Sequence, residues 1–173
     1  MRPCIIVGVV SMSVGVLQLT GCRTPERTAV PYSVTFNVAA DANPDSNRKP
    51  APIVLKVFQL RAASAFDSAD FFSLQDKPES ALGGELLGVE RVILQPGDSR
   101  TLHYSGNVDA HAVGVVAEYR LLEKSRWKLS LPLPQAKRTS PYRFWSGSAD
   151  EINLPITVRN GGIAFGHDTQ ARP

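Results

Sequence analysis

Few side chains in this sequence are equipped for chemistry. The 173 residues hold three histidines, His103, His111 and His167, and two cysteines, Cys4 and Cys22. No metal-ligand motif contains His103 and His111, which read as exposed or hydrogen-bonded imidazoles, and His167 falls in a loose tail. A serine nucleophile on a sharp turn needs Gly-x-Ser-x-Gly, and Trp145-Ser146-Gly147-Ser148 lacks that pattern. Asp67 and Asp70 could pair as carboxylates, but negative charge at helix N-termini accounts for them at lower cost. No glycine-rich loop could cradle a phosphate. The sequence therefore points to a protein that is not an enzyme, with no catalytic residues, no metal and no cofactor. One reactive group is left, the thiol of Cys22. It follows Leu19-Thr20-Gly21 and an apolar run over residues 5–19 broken by Ser11, Ser13 and Gln18.

Leu19-Thr20-Gly21-Cys22 resembles the lipobox of bacterial lipoproteins. Thr20 and Gly21 are slim enough for a peptidase cleft, and Leu19 supplies an apolar anchor. The resemblance implies cleavage before Cys22, a diacylglycerol on its thiol and a further acyl chain on the freed amine. Arg2 gives the leader its positive start, and the apolar run is short for a span, which needs about 20 residues. Residues 1–21 thus read as a signal peptide that takes Cys4 with it. Cys22 then remains as a single acylated cysteine, so no internal disulfide is expected. Each buried methylene contributes about 0.8 kcal/mol, and stable anchoring takes at least two chains. Arg23 stands where an aspartate favours inner-membrane retention in the usual lipoprotein sorting rule. Its presence favours the outer membrane, on the periplasmic face.

About 150 residues remain after the leader, one domain's worth, able to bury roughly 68–70% of the unfolded surface. Lysine and arginine number 19 against 16 acidic residues, with the signs mixed along the chain. No basic block is dense enough for nucleic acid. A hydrophobic fraction of 43% suits a globular domain.

Residues 22–30 read as a polar, lipidated tether, and residues 31–166 as the folded domain. Tyr32, Val34, Phe36 and Val38 alternate with polar residues, which predicts a half-buried strand. Residues 40–52, ADANPDSNRKPAP, carry no large apolar side chain and are dense in turn formers. A connection this long is uncommon unless functional or disordered. Residues 53–60 have apolar residues on both faces, so they read as an inner strand with Lys56 reaching out to water. The period then changes. Short helices are expected over residues 64–75 and 78–82, started by Ser64 or Ser68 with nearby aspartates and ended by Gly83-Gly84. Phe66, Phe71 and Phe72 read as a helix-to-sheet core. Strand patterning returns near Gly88 and reaches Gln95. Pro96-Gly97-Asp98 turns the chain so that residues 101–104 pair back as a hairpin. Residues 112–119 are the most apolar strand and are expected to be central. There Gly114 weakens the strand or permits close backbone approach. Residues 127–133 read as an edge strand. Pro155 should hold the strand of residues 152–158 at an edge or a bulge. Asn160-Gly161 is a hairpin turn, and residues 167–173 form a flexible tail. Seven or eight closely spaced strands with a helical insert after the second, and no βαβ rhythm, make the fold mainly β, an antiparallel β-sandwich.

Several stretches together resemble the TssJ family of type VI secretion lipoproteins. They are Pro52-Ile-Val-Leu-Lys-Val-Phe-Gln-Leu60, Ala65-Phe66, Ala69-Asp-Phe-Phe-Ser-Leu74, Leu94-Gln-Pro-Gly97, and Val113-Gly-Val-Val-Ala-Glu-Tyr-Arg120 followed by Trp127. Order and spacing agree over roughly residues 31–130. The resemblance implies a transthyretin-like sandwich on the periplasmic face of the outer membrane. It implies binding to the periplasmic domain of TssM, an inner-membrane protein, and through it an indirect link to TssL. The contact it implies is the loop between the first two strands, here Asp41, Ala42, Asn43, Pro44, Asp45, Ser46, Asn47, Arg48, Lys49 and Pro50. The residues read alone agree with that role. Prolines limit the conformations lost on docking, the charges can steer a partner, and the asparagines can donate and accept hydrogen bonds. A solvated connector is the plainer reading. A second function remains open, a lipoprotein binding a small ligand or cell-wall glycan through Tyr142, Phe144 and Trp145 beside Arg138 and Arg143. On the first reading there is no small-molecule substrate.

Overall fold

The computed structural model describes residues 29–134 and 151–166. The leader, Cys22, most of the tether, the loop holding Tyr142, Phe144 and Trp145, and the tail from His167 lie outside the described residues. Eight strands form two four-stranded sheets. One runs β4 (Ser99–Tyr104), β1 (Tyr32–Val38), β7 (Ile152–Arg159), β8 (Gly162–Phe165). The other runs β3 (Leu86–Leu94), β2 (Ile53–Leu60), β5 (Ala112–Glu118), β6 (Lys128–Pro132). Every strand pair is antiparallel except β1 with β7.

Period-two patterning builds the core. Val34, Phe36 and Val38 from β1 and Leu154, Ile156 and Val158 from β7 meet Ile53, Leu55 and Val57 from β2 and Val113, Val115 and Ala117 from β5. Burying such a side chain contributes about 1.5–3 kcal/mol each, and no one of these is more than 6% exposed. Strands β2 and β5 are inner strands, as their sequence requires, and β6 is an edge strand.

A second core lies on the outer face of the β2–β5 sheet. Phe58, Leu60, Ala112 and Val116 point away from the sandwich and are covered by three short helices, α1 (Ser64–Ser68), α2 (Phe71–Asp76) and α3 (Pro78–Leu82). Phe66 of α1 lies directly over Gly114, where a Cβ would come within 2.6 Å of its ring. Of the two roles open for that glycine, the structure uses close approach. Lys128 locks the insert from β6. Its ammonium donates to the carbonyls of Phe66, Asp67 and Ala69 at 3.1, 2.7 and 2.9 Å, at the C-terminal end of α1. Positive charge is favoured there by the helix dipole, while burial lowers the lysine's pKa.

Five expectations change. Residues 99–104 do not pair back on β3; β4 joins β1 in the opposite sheet, so the Pro96-Gly97-Asp98 turn carries the chain across the sandwich. Strand β7 is an inner strand despite Pro155. The Pro155 carbonyl accepts from Gly166 N on the β8 side at 2.8 Å, and β8 pairs with β7 only from Ile156 onward. The missing N–H therefore faces Gly166 just past the end of β8, where the proline forgoes only the reciprocal bond of that last pair. Lys56 does not reach water. It donates to the Gln75 carbonyl at 2.7 Å and pairs with Glu118 at 3.3 Å. Helix α1 begins at Ser64 as expected, but the serine is not its cap, and α2 begins after Asp70 rather than at Ser68. Asp70 caps α2 through Ser73 N, and Glu85 receives Ser64 Oγ and Ala65 N at the start of α1. Phe72 is not core but 65% exposed, edge-on to Phe71.

Gly114→Ala should destabilise the domain by about 1–3 kcal/mol through overpacking against Phe66, measured by urea unfolding. Pairing it with Phe66→Leu should recover part of that loss.

Candidate functional site

The connection between β1 and β2 sits at one end of the sandwich, and its two halves have different physics. The stem is built into the body. Ala42 is fully buried and Asn43 is 2% exposed. Ala39 N donates to Val158 O at 2.8 Å, and Ala51 N to Ala42 O at 3.4 Å. Asn43 ties three segments together. Its Nδ2 donates to Pro52 O at 2.7 Å, across the stem, and its Oδ1 accepts from Arg120 N at 2.9 Å, just beyond β5. It does so with φ +50°, a left-handed conformation that asparagine tolerates better than most residues.

The tip is self-braced. Asp45 N donates to Lys49 O and Arg48 N to Asp45 O, both at 2.9 Å. The Asp45 carboxylate accepts from Asn47 N and Lys49 N at 2.8 Å each. Arg48 takes φ +62° at the turn. Asp41, Ser46, Asn47, Arg48, Lys49 and Pro50 are exposed, while Pro44 and Asp45 are half-buried.

The ten residues singled out in the sequence are thus brought into one protrusion with divided tasks. Ala42 and Asn43 hold it, Asp45 shapes it, and the exposed side chains are available to a partner. Sequence reasoning treated all ten alike. The signal it missed was an apolar-sized Ala42 next to an asparagine, a pair that a solvated loop does not need.

Sequence reasoning also missed what lies beside the protrusion. A cleft of about 330 Å³ opens between Asn43 and Pro44, the β5–β6 connection at Tyr119, Leu121 and Lys124, and Asn160 of the β7–β8 turn. Tyr119 is buried at its base and donates to Arg159 O at 2.8 Å. Burial pushes its phenol well above the ordinary tyrosine range, so it stays a neutral donor. These residues are far apart in the chain and share no motif.

The opposite end receives the N-terminal segment. Gly106 has φ +85°, and a Cβ there would run into the Val30 carbonyl, so residues 29–30 are seated tightly on the β4–β5 connection. Strand β1 then carries the chain roughly 20 Å to the protrusion. His103, on β4, contacts Glu151 at 2.8 Å as an exposed pair. Among the described residues no group of three or more His, Cys, Asp or Glu could hold a metal ion.

Comparison with known proteins decides the family. The model described as "T6SS-SciN: Type VI secretion lipoprotein, VasD, EvfM, TssJ" matches residues 31–160. The chain belongs to this family of type VI secretion lipoproteins. It is similar to Serratia marcescens Lip, a membrane-bound component of the type VI secretion system, at 34% identity and a TM-score of 0.72, over 83% of this chain and 100% of Lip. It is also similar to the lipoprotein TssJ1 from Pseudomonas aeruginosa, at 29% identity and a TM-score of 0.69, over 84% of this chain and 98% of that one. A chain of a type VI membrane complex shares the fold at 20% identity and a TM-score of 0.64, over 81% of this chain and all of that one. No curated protein matches the sequence.

Asn43→Ala should cost about 2–4 kcal/mol. It strands the Arg120 N–H and the Pro52 carbonyl, each worth about 1–3 kcal/mol when left unpaired, and sets a Cβ-bearing residue without a local hydrogen bond at positive φ. Asn43→Gly should be milder by about 1 kcal/mol, because glycine takes that φ freely. Chemical denaturation of the two variants checks both values.

Proposed function

We propose that this lipoprotein is a non-catalytic assembly factor of the type VI secretion membrane complex. Acyl chains on Cys22 hold it on the periplasmic face of the outer membrane. The β1–β2 protrusion binds the periplasmic domain of TssM, which bridges the two membranes and links the protein indirectly to TssL. The observation that carries this reading is the form of the protrusion within a family of secretion lipoproteins. A rigid stem anchored by Asn43 presents an exposed tip, already ordered by Asp45. A pre-ordered tip loses little conformational entropy on docking, which preserves affinity.

The polarity of β1 supports the same reading. The segment that would lead back to Cys22 enters at one end of the sandwich, and the protrusion leaves from the other. An anchor on the first end directs the tip away from the outer membrane, toward a protein rising from the inner one. Residues 1–21 are the signal peptide on this account, and residues 22–30 the tether.

Replacing residues 46–49 by Gly-Ser-Gly-Ser should keep stability within about 1 kcal/mol of the parent, since those side chains are exposed. The same change should abolish co-purification with the TssM periplasmic domain. Retained binding would remove the tip from the interface. Cys22→Ser should yield a protein that takes up no fatty-acid label and no longer supports secretion. Normal secretion by that variant would remove the anchoring role.

A further inference from the structure

The cleft beside the protrusion is not needed to hold the loop upright. Asn43 already does that with both ends of its amide. Yet four connections converge on this end of the sandwich, and their charges are unevenly engaged. Six cations are carried there: Arg48, Lys49, Arg120, Lys124, Arg126 and Arg159. Four carboxylates accompany them, Asp41, Asp45, Asp98 and Glu123. Asp45 is occupied by its own turn, and Asp98 accepts from Gln95 N at 2.8 Å. The salt bridges among the described residues are Lys56–Glu118, Arg61–Asp109 and His103–Glu151; Glu118 ends β5 beside this end, but its partner is Lys56 and none of the six cations named above takes part. Six cations therefore stand against four carboxylates at this end, an excess of two positive charges, and Lys124 is the cation that lines the cleft.

The rim adds an apolar contact. Leu121 is 46% exposed and lines the cleft together with Pro44 and Tyr119. A volume of about 330 Å³ is at the low end for small-molecule sites, which run about 300–1,000 Å³. It suits side chains of a peptide better than a whole metabolite. A small cleft with one large apolar side chain and a lysine in its lining can seat one apolar and one acidic side chain of a partner.

We propose that the cleft receives an acidic segment of the protein bound by the protrusion. One carboxylate of that segment lies against Lys124, and one apolar side chain packs on Leu121 and Pro44. The proposal rests on the reading of the protrusion as an interface, and it makes that interface two-part. The tip orients the partner, and the cleft supplies the charge selection. Screening by salt should therefore weaken the complex.

The test uses the full acylated lipoprotein in detergent, with the TssM periplasmic domain immobilised on a sensor surface. Leu121→Asp and Lys124→Glu are compared with the parent and with the Gly-Ser replacement of residues 46–49, each variant first matched to the parent by its thermal melt. Both cleft variants should raise Kd at least tenfold, and Lys124→Glu should flatten the salt dependence. Reversing single acidic residues of the partner to lysine should identify one that restores binding to Lys124→Glu. If the tip replacement abolishes binding while both cleft variants bind as the parent does, the cleft is overturned and the protrusion stands. If no partner reversal rescues Lys124→Glu, the carboxylate contact is overturned. If the tip replacement and the cleft variants all bind normally, the interface lies elsewhere and both readings fall.

Discussion

A single buried amide decides whether this protein has a protrusion or merely a loose connection. Asn43 sits almost wholly out of water and spends its donor and its acceptor on two different backbone segments. Buried polar groups are tolerated only when paired, so the loop is stable in one position relative to β5 and not in others. The left-handed backbone at Asn43 is sustained by the same two bonds. Everything proposed for the end of the sandwich, including the tip and the cleft wall, depends on that clamp.

The outer insert solves a different problem. Strand β5 is apolar on both faces, and a sandwich can bury only one of them. The three helices cover the other, with Phe66 seated on Gly114 and Lys128 gathering the carbonyls where α1 ends. Helices this short are marginal alone. Tertiary contact and a charge at the right terminus hold them. The insert therefore stiffens the sheet whose far end carries the cleft, while remaining separate from the protrusion itself.

The sandwich also divides its two ends. Chain direction in β1 sets the entry point and the protrusion on opposite sides, and the tight packing of Val30 on Gly106 prevents the entry from wandering along the edge. Near the entry, Tyr32 and Tyr104 stack with ring centroids 4.8 Å apart, and Tyr104 donates to Glu90 at 2.8 Å. Burial raises the pKa of both phenols, that of Tyr32 to about 12, so both rings stay protonated at ordinary pH.

Local pattern was enough to determine the strands, the helical insert, the inner places of β2 and β5 and the position of the loop. Each of these follows from side-chain period and turn chemistry within a few residues. The hairpin expected at Pro96-Gly97-Asp98 failed because a tight turn says nothing of which sheet its second strand joins. The edge expected at Pro155 failed because one missing N–H excludes only one side of a strand, and only where a neighbour still runs. The role of Asn43 and the existence of the cleft were beyond any local reading. Their partners, Pro52, Arg120 and Asn160, come from chain segments that meet only once both sheets are stacked. Sequence alone therefore determined which stretch would protrude. The tertiary structure decided what holds it, because long-range hydrogen bonds and concave surfaces are properties of packed elements and not of neighbours in the chain.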